Sequence, residues 1–344
     1  MANPLSPPAI ALQTVPDWQS QLRDTICSGH ELLSLLKLDA RDLGFSHRAC
    51  DDFPLKVPMA FARRMRAGDP DDPLLLQVLA SEAELAPMPG YTTDPVRETN
   101  EANPYRGIIH KYRGRALLIV SGGCAINCRY CFRRHFPYGD NRNSRAQWQA
   151  ALDYIRQDQD IEEVILSGGD PLVASDEHLA MLVSRIAAIP QVRRLRVHSR
   201  LPIVIPDRIT DTLLEAITHP GLKTIMVVHC NHGNEIDNAV REAVASLRQR
   251  SITVLNQAVL LARVNDSSQA LVDLSEALFD AGVLPYYLHL LDKVRGAAHF
   301  DVPEDRARRL VGEIAGRLPG YLVPRLVREE PGAASKTTLA AIAP

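Results

Sequence analysis

Short apolar runs alternate with amphipathic stretches along the chain from Arg115 onward. Runs rich in Val, Ile and Leu that end in small or polar residues are typical of buried strands, whereas apolar residues at every third or fourth position are typical of helices. The runs predict six strands, over Ala116–Val120, Glu163–Leu166, Leu195–His198, Thr224–Cys230, Ile252–Leu260 and Leu284–Leu290. The amphipathic stretches predict six helices, over Ser144–Gln157, Asp176–Ala188, Asp207–Thr218, Glu235–Arg250, Asp266–Ala281 and Pro303–Leu318.

The order of these elements predicts an α/β fold. Strands joined by helical connections run parallel, and right-handed connections wind them into a doubly wound sheet or a barrel. Six strand–helix units are fewer than the eight of a closed barrel. We therefore predict a partial (β/α)6 TIM-like barrel over residues 105–318.

The segments on either side of the predicted barrel lack this alternation. Residues 1–104 are rich in Leu, Ala, Asp and Pro, and helix-like stretches at Trp18–Leu36 and Leu74–Leu85 predict a mainly helical accessory region. Residues 319–344 combine Gly, Pro and Arg without a helix pattern, which predicts a lid over the barrel or a loose tail.

Polar side chains follow or end every predicted strand. Because the carboxyl ends of parallel strands meet at one face of the fold, these side chains predict a shared ligand cavity there. In strand order they are Gly122, Gly123 and Cys124; Ser167, Gly168, Gly169 and Asp170; His198, Ser199 and Arg200; His229; Asn256 and Gln257; and His289, Asp292 and Lys293.

Composition and charge narrow the classes of function. The 344 residues include 39 basic and 41 acidic side chains, and a formal net charge of −2 provides no long-range field to attract nucleic acid or an anionic membrane. The segment Met1–Val15 lacks a basic stretch followed by an apolar one, and no apolar run approaches the length that spans a bilayer. We expect a cytoplasmic protein without a membrane partner and without direct nucleic-acid binding.

The six cysteines are too few for a disulfide scaffold, but Cys124, Cys128 and Cys131 fall in one short segment. Three thiolates can hold three irons of a [4Fe-4S] cluster and leave one iron open to the amine and carboxylate of an amino acid, such as the methionine part of S-adenosylmethionine. A structural zinc site with His110 or His135 as fourth ligand, and three unrelated cysteines, are alternatives that the spacing leaves open.

The spacing Cys124-x3-Cys128-x2-Cys131, with Tyr130 before the third cysteine, resembles the signature of the radical S-adenosylmethionine superfamily. That resemblance implies a partial (β/α)6 barrel, a [4Fe-4S] cluster and bound S-adenosylmethionine. The positions that it implies near S-adenosylmethionine are Ser167, Gly168, Gly169, Asp170, His229 and Gln257.

A closer resemblance rests on local strings that occur in the same order over Tyr105 to Lys336, about two-thirds of the chain. The strings include His110-Lys-Tyr-Arg-Gly-Arg115, Ser167-Gly-Gly-Asp-Pro-Leu172, Leu255-Asn-Gln-Ala-Val-Leu260, Tyr286-Tyr-Leu-His-Leu-Leu-Asp292 and Gly296-Ala-Ala-His-Phe300. Together they resemble the lysine 2,3-aminomutase family. The short chain and its tail are similar to the bacterial branch that supplies β-lysine for modification of elongation factor P.

This resemblance implies a second cofactor, pyridoxal 5′-phosphate, held as a Schiff base by Lys336. Glu329 stands where the family usually has Asp, and the segment Pro331–Lys336 departs from the family's all-glycine loop. The resemblance maps the cofactor phosphate onto Lys111, Tyr112 and Arg115, the substrate carboxylate onto Arg133, and the substrate ε-ammonium onto Asp292 and Glu329.

Each of these residues also has an ordinary structural interpretation. Taken without the resemblance, Lys336 is an exposed tail lysine, and Lys111 to Arg115 form a charged strand edge. Arg133 is then a charge on the outer face of a loop, and His229 a histidine of the core.

The reaction that the resemblance implies is the conversion of L-α-lysine to β-lysine. A reductant such as flavodoxin or ferredoxin reduces the cluster, a radical formed from S-adenosylmethionine takes a hydrogen atom from C3, and the pyridoxal π-system lets nitrogen migrate from C2 to C3. A lysyl-tRNA-synthetase-like ligase would then attach β-lysine to elongation factor P.

Three other functions remain open at this point. One is a metabolic aminomutase that acts on free lysine or on another amino acid such as glutamate. Another is a non-catalytic metal-binding or redox-sensing protein that uses the three cysteines. The third is a radical enzyme that modifies RNA, against which an aromatic content of 5% counts.

Overall fold

The structure, a computed structural model, describes residues 17–99, 102–141 and 145–343. The predicted absence of a targeting signal at Met1–Val15 concerns residues outside these ranges, as does the predicted helix start at Ser144. Among the described helices, none has the length and apolar character that a membrane crossing requires.

The described ranges contain nine strands and twelve α-helices, besides short 3-10 helices. The strands are β1 (Ile108–Tyr112), β2 (Arg115–Ser121), β3 (Glu163–Gly168), β4 (Arg194–Ser199), β5 (Lys223–Val228), β6 (Thr253–Val259), β7 (Leu284–His289), β8 (Arg325–Arg328) and β9 (Thr337–Thr338). The helices before the sheet are α1 (Trp18–Arg23), α2 (Gly29–Leu35), α3 (His47–Asp52), α4 (Met59–Ala62) and α5 (Pro73–Leu76). The helices between and after the strands are α6 (Arg145–Gln157), α7 (Asp176–Ala187), α8 (Leu201–Val204), α9 (Asp211–Ile217), α10 (Asn238–Gln249), α11 (Ser268–Asp280) and α12 (Glu304–Ala315).

The nine strands form one sheet in chain order. Strands β2 to β8 are parallel, whereas β1 pairs antiparallel with β2 and β9 pairs antiparallel with β8. Strands β1 and β9 stand at the two ends of this order, so the described strands do not close into a ring. The predicted partial barrel is confirmed, and its six predicted units correspond to β2 to β7 with the helices that follow them.

Local sequence explains why the outer helices begin where they do. The side chains of Ser175, Asp237 and Ser267 accept hydrogen bonds from backbone N–H groups in the first turns of α7, α10 and α11. Each of these helices buries one apolar face against the sheet, including Leu182 in α7 and Leu247 in α10. The helices thereby fix the carboxyl ends of the strands at a common face.

The N-terminal region is helical, as predicted, but it is built from short pieces. The predicted helix Trp18–Leu36 is interrupted between α1 and α2, where Ile26 pairs with Val57 through backbone hydrogen bonds of 2.8 and 2.9 Å. Phe61 in this region belongs to the same buried apolar cluster as Leu166 in the sheet. The region therefore shares the core of the barrel and does not form a core of its own.

The C-terminal segment 319–344 corrects the prediction of a lid or loose tail. Leu326 and Val327 in β8 are buried, and β8 lies between β7 and β9 in the sheet. The barrel sheet thus extends beyond the predicted boundary at residue 318. The apolar run of β8 is only two residues long between Arg325 and Arg328, which is why the hydrophobic pattern does not reveal this strand.

Candidate active site

A cavity of about 220 Å³ lies within the curved sheet and is lined from β1 to β7 and from the β8–β9 connection. Ten of the sixteen predicted site residues line it: Lys111, Tyr112, Arg115, Arg133, Ser167, His229, Gln257, Asp292, Glu329 and Lys336. The other six, which lie outside its lining, are Cys124, Cys128, Cys131, Gly168, Gly169 and Asp170. The fold therefore brings most of the predicted site together, with the cysteine loop as its neighbour.

The three clustered cysteines lie in the loop after β2, partly buried and without a disulfide within the described chain. The Cys131 N–H donates to the carbonyl of Cys128 at 3.0 Å, which folds the second half of the loop tightly. Burial and then the neighbouring Cys128 thiol raise the pKa of Cys131 to about 11. A metal ion is the partner that deprotonates such thiols.

The two histidines named as a possible fourth zinc ligand each contact another group. The Nδ1 atom of His110 is hydrogen-bonded to the Tyr154 hydroxyl at 2.7 Å, and His135 faces the carbonyl of Arg295. Among the described residues, no three His, Cys, Asp or Glu side chains converge on one metal-sized position. Three thiols from one loop suit a cluster, in which each thiolate binds a different iron.

Two glycines let the end of β3 approach the cysteine loop closely. Gly168 has φ +128°, and a Cβ there would lie 2.3 Å from the carbonyl oxygen of Ser121. At Gly169 a Cβ would lie 2.4 Å from the carbonyl oxygen of Gly123 and 3.0 Å from the sulfur of Cys124. Only glycine fits this approach, which places backbone without a side chain beside the Cys124 thiol.

The predicted cofactor contact Asp170 has its carboxylate engaged within the protein. Its carboxylate accepts hydrogen bonds from the Ser199 hydroxyl at 2.7 Å and from the backbone N–H groups of Arg200, Leu201 and Leu172 at 2.8, 3.2 and 3.0 Å. Burial raises its pKa to about 6, although these donors oppose the shift. The side chain joins the ends of β3 and β4 instead of lining the cavity, because four donors from the β3 and β4 loops converge on it.

Arg200 is a functional candidate to which the sequence assigned no role. Its buried guanidinium donates from Nη1 to the sulfur of Cys128 at 2.6 Å. Its Nη2 donates to Gln77 at 2.7 Å and to Glu235 at 3.1 Å. The position of Arg200 at a strand end indicated proximity to the site, but its contact with a cysteine depends on the folded loops.

Five charged side chains of alternating sign follow one another along the cavity wall: Arg133, Glu98, Lys111, Glu329 and Lys336. Arg133 donates to Glu98 from Nε at 2.6 Å and from Nη2 at 3.0 Å, and Lys111 lies 3.1 Å from Glu98 and 2.7 Å from Glu329. Lys336 donates to the second oxygen of Glu329. The chain links the predicted substrate end of the cavity to the predicted cofactor lysine.

The charges and the burial around the cavity give its carboxylates different protonation states. Burial alone would raise the pKa of Glu329, but Lys336 and Lys111 hold it well below its ordinary value. Burial and the Glu329 carboxylate raise the pKa of Asp292 to about 7. Paired cations likewise lower the pKa of Glu98, so Glu98 and Glu329 are ionised, whereas Asp292 titrates near neutrality.

The predicted phosphate subsite is built on the β1–β2 hairpin. Tyr112 pairs with Arg115 across the turn, and the Arg115 guanidinium lies 4.5 Å from the centre of the Tyr112 ring. The Tyr112 hydroxyl donates to Glu329 at 2.5 Å, and with Lys111 these residues present two cations and one phenol to the cavity. Such donors suit a phosphate.

Three histidines with buried Nε2 atoms face the same cavity. The Nε2 atoms of His198, His229 and His289 have no hydrogen-bond partner among the described residues. Burial, followed by the nearby cations, lowers the pKa of His229 and of His289 to about 3, so both rings are neutral. A buried polar atom without a partner is costly, and a bound polar ligand would satisfy it.

An aromatic wall completes the lining. The rings of Tyr286 and Tyr287 stack with their centres 3.8 Å apart, and Tyr287 meets His289 edge-on at 5.6 Å. Flat rings of this kind provide a surface for a planar ligand. The donors, the unsatisfied histidines and the lysine therefore fit pyridoxal phosphate, as the cysteine loop fits a cluster.

Comparison with known proteins gives consistent matches. The family model of the Radical SAM superfamily matches residues 118–274. The chain is 52% identical to L-lysine 2,3-aminomutase of Escherichia coli (strain K12), over 94% of each protein, and 48% identical to that of Haemophilus influenzae, over 94% of this chain and 96% of that protein. It is 31% identical to L-lysine 2,3-aminomutase of Clostridium subterminale, over 93% of this chain but 77% of that protein.

Proposed function

The chain belongs to the L-lysine 2,3-aminomutase family of the radical S-adenosylmethionine superfamily and is an isomerase, and on this premise we propose that it converts L-lysine to β-lysine with pyridoxal phosphate held on Lys336. The observation that carries the proposal is the alternating charge chain from Arg133 to Lys336. It offers cations for a phosphate and a carboxylate, and carboxylates for an ammonium, within one cavity.

The cofactors supply the reactive chemistry. When bound, the cluster with S-adenosylmethionine supplies a radical that removes a hydrogen atom from lysine, and pyridoxal phosphate supplies the π-system across which nitrogen migrates. Cys124, Cys128 and Cys131 would hold the cluster. Ser167, Gly168, Gly169, His229 and Gln257 would bind S-adenosylmethionine, and Lys111, Tyr112 and Arg115 would bind the pyridoxal phosphate.

The charges of the cavity favour lysine as the substrate. A buried ammonium needs a carboxylate partner, and Asp292 and Glu329 both face the cavity. Arg133 would bind the carboxylate at the other end of the amino acid through a charge-assisted hydrogen bond. The side chain of glutamate would instead meet Glu329, which is ionised, and the repulsion disfavours that substrate.

The chain's own residues also separate the reaction from water. His198, His229 and His289 are neutral and have buried Nε2 atoms, and Tyr286 and Tyr287 line the same wall. A cavity lined in this way limits the water that reaches a reactive carbon radical.

We further propose that the β-lysine supplies the ligase that modifies elongation factor P. The support is the resemblance of the tail Tyr321–Lys336 to the bacterial branch that supplies β-lysine for this modification. A flavodoxin or ferredoxin would reduce the cluster. The mass of elongation factor P from cells with and without this gene tests the assignment, and an unchanged mass would contradict it.

The cofactors are tested first, on protein purified without oxygen. We expect iron and sulfide near four of each per chain, a broad cluster absorbance, and a pyridoxal band that borohydride shifts. Peptide mass mapping should then find the reduced cofactor on Lys336. Iron without pyridoxal would contradict the aminomutase chemistry, and zinc without iron would contradict the radical chemistry as well.

The substrate is tested by supplying lysine and glutamate separately to the reduced enzyme with S-adenosylmethionine. We expect β-lysine from lysine and no comparable product from glutamate. Equal turnover of the two amino acids would contradict the assigned charges of the pocket.

A further inference from the structure

Glu98 is the one member of the alternating charge chain that comes from the N-terminal region, and nothing above assigns it a role in binding. Its side chain is 3% exposed. It lies between two cations, with one carboxylate oxygen on Arg133 Nε at 2.6 Å and the other shared by Arg133 Nη2 at 3.0 Å and Lys111 Nζ at 3.1 Å. Both cations line the cavity.

The backbone around Glu98 is fixed from two sides. Asp94 accepts hydrogen bonds from the N–H groups of Glu98 at 2.9 Å and of Thr99 at 3.1 Å. Thr92 exchanges backbone hydrogen bonds with Lys293 at 2.9 Å and Arg295 at 2.8 Å in the loop after β7. The carboxylate is therefore held against the cavity wall by well-anchored backbone.

Each cation keeps donors available for a ligand while Glu98 holds it. The carboxylate engages Arg133 along its Nε–Nη2 edge, while Nη1 donates to the Ser167 hydroxyl at 3.2 Å and the Gly168 carbonyl at 3.3 Å. One Nη2 N–H of the five guanidinium donors is left for a ligand. Lys111 uses two of its three N–H groups for Glu98 and Glu329. Glu98 thus orients these cations without using all their donors.

The position of the carboxylate also sets the distance between the two cations. Arg133 and Lys111 repel each other, and a buried anion between them offsets that repulsion and holds both at hydrogen-bond distance. In the proposed function, Lys111 belongs to the phosphate subsite and Arg133 to the substrate carboxylate subsite.

We propose that Glu98 is a positioning residue that fixes the spacing between the phosphate subsite and the substrate carboxylate subsite. The inference rests on the proposed function, and it gives the N-terminal region a part in ligand binding. One substitution at Glu98 should therefore weaken the binding of two ligands, the cofactor and the substrate, because each contacts a different one of the two cations.

The test compares Glu98→Gln with the matched control Glu84→Gln in the full-length protein. Glu84 belongs to the same region, is equally buried and pairs with Arg129 at 2.8 Å and Arg134 at 3.0 Å, but it does not line the cavity. Three quantities are measured for each: the Kd of pyridoxal phosphate by absorbance titration of cofactor-free protein, the KM and kcat for lysine at saturating cofactor, and the Tm.

For Glu98→Gln we expect both the Kd and the KM to rise about tenfold or more, because charge-assisted contacts of this kind change affinity on that scale. We expect Glu84→Gln to lower the Tm without raising the Kd. An unchanged Kd and KM in Glu98→Gln would overturn the inference, as would equal rises in the two variants.

A second variant keeps the inference testable should Glu98→Gln not fold. Glu98→Asp retains the charge but withdraws it by about one bond length, and we expect smaller rises of Kd and KM, both in the same direction. Wild-type Kd and KM in this variant would overturn the inference. Failure of the wild-type protein to bind pyridoxal phosphate would instead contradict the proposed function, so the two failures are distinguishable.

Discussion

The ammonium of Lys336 forms a salt bridge with the carboxylate of Glu329 inside the cavity. The two residues lie at opposite ends of the connection between β8 and β9, so the pairing of these strands brings them together. Glu329 also contacts Lys111 at 2.7 Å and the Tyr112 hydroxyl at 2.5 Å. One carboxylate thus links the lysine proposed to hold the cofactor to the proposed phosphate subsite.

Replacing Lys336 by alanine should remove covalent cofactor binding and leave the cluster in place. The reason is that Lys336 lies next to β9, whereas the three cysteines lie in the loop after β2. We expect borohydride to fix pyridoxal phosphate to the wild-type protein but not to Lys336→Ala, with iron per chain unchanged. The measurement is intact-protein mass together with iron analysis.

The control for this variant is Lys293→Ala. Lys293 is an exposed lysine next to Asp292 and does not line the cavity. It should be labelled like the wild type. Full labelling of Lys336→Ala would show that another lysine holds the cofactor.

Replacing Asp292 by asparagine should weaken lysine binding and stabilise the fold at higher pH. The folded pKa of Asp292 is about 7 against an ordinary 3.8, so the folded protein holds a proton that the unfolded chain has lost between about pH 4 and 7. Stability therefore falls as pH rises through that window, and asparagine removes this loss. We expect the Tm of Asp292→Asn to exceed that of the wild type by about 2 °C or more at pH 8 and by less at pH 5.5.

The same substitution should raise the KM for lysine about tenfold or more at pH 8, since it removes an anionic partner of the ε-ammonium. The Kd of S-adenosylmethionine should change far less. A KM equal to that of the wild type would count against the role of Asp292 in substrate binding, whatever the Tm.

Hydrophobic patterning predicts the six central strands because most of them contain a short apolar run, and β4 alternates buried Leu195 and Val197 with polar residues. It does not predict β1, in which only Ile108 and Ile109 are buried, or β9, which is two residues long. Edge strands of this kind are stabilised by pairing with a neighbour, and the pairing is a tertiary property.

The candidate site likewise contains residues that the sequence reveals and residues that it does not. Residues at strand ends and the Cys124 spacing are visible in the sequence, because their positions along the chain determine where they lie in the fold. The position of Glu98 in the site and the contacts of Arg200 are not, because the partners are distant: Glu98 meets Arg133, and Arg200 meets Gln77, 123 residues away. A single acidic or basic residue has no local pattern that reveals such a partner.

Replacing Cys128 by alanine should abolish assembly of the cluster. Its sulfur is one of three thiols in the loop after β2. With only two protein thiolates, one of the three irons that the protein should hold has no protein ligand. We expect iron to fall to near background in Cys128→Ala after anaerobic reconstitution. The matched control is Cys27→Ala, an exposed cysteine outside the loop, which should retain wild-type iron; wild-type iron in Cys128→Ala would contradict the assignment.

Replacing Arg200 by glutamine should make the cluster harder to reduce. Arg200 donates to the Cys128 sulfur, and a cation with a hydrogen bond to a ligating sulfur stabilises the reduced, more negative cluster. We expect a reduction potential more negative than that of the wild type, measured by a redox titration followed by electron paramagnetic resonance. Arg208→Gln removes another buried guanidinium, which pairs with Asp176 and not with a cysteine, and its potential should match the wild type; equal potentials in all three proteins would refute the role of Arg200.

Replacing Gly169 by alanine should separate the end of β3 from the cysteine loop. A Cβ at this position would lie 2.4 Å from the Gly123 carbonyl oxygen and 3.0 Å from the Cys124 sulfur. Neither the backbone nor a cysteine that would bind the cluster can move away without strain. Overpacking of this kind costs about 1–3 kcal/mol, and the strain falls on the loop that would hold the cluster. We expect a lower Tm and a substoichiometric iron content, whereas Gly139→Ala, where a Cβ meets nothing within 4 Å, should retain wild-type values of both. If Gly169→Ala lost stability but bound full iron, the close approach would be structural only, and the proposed contact of this backbone with S-adenosylmethionine would lose its geometric support.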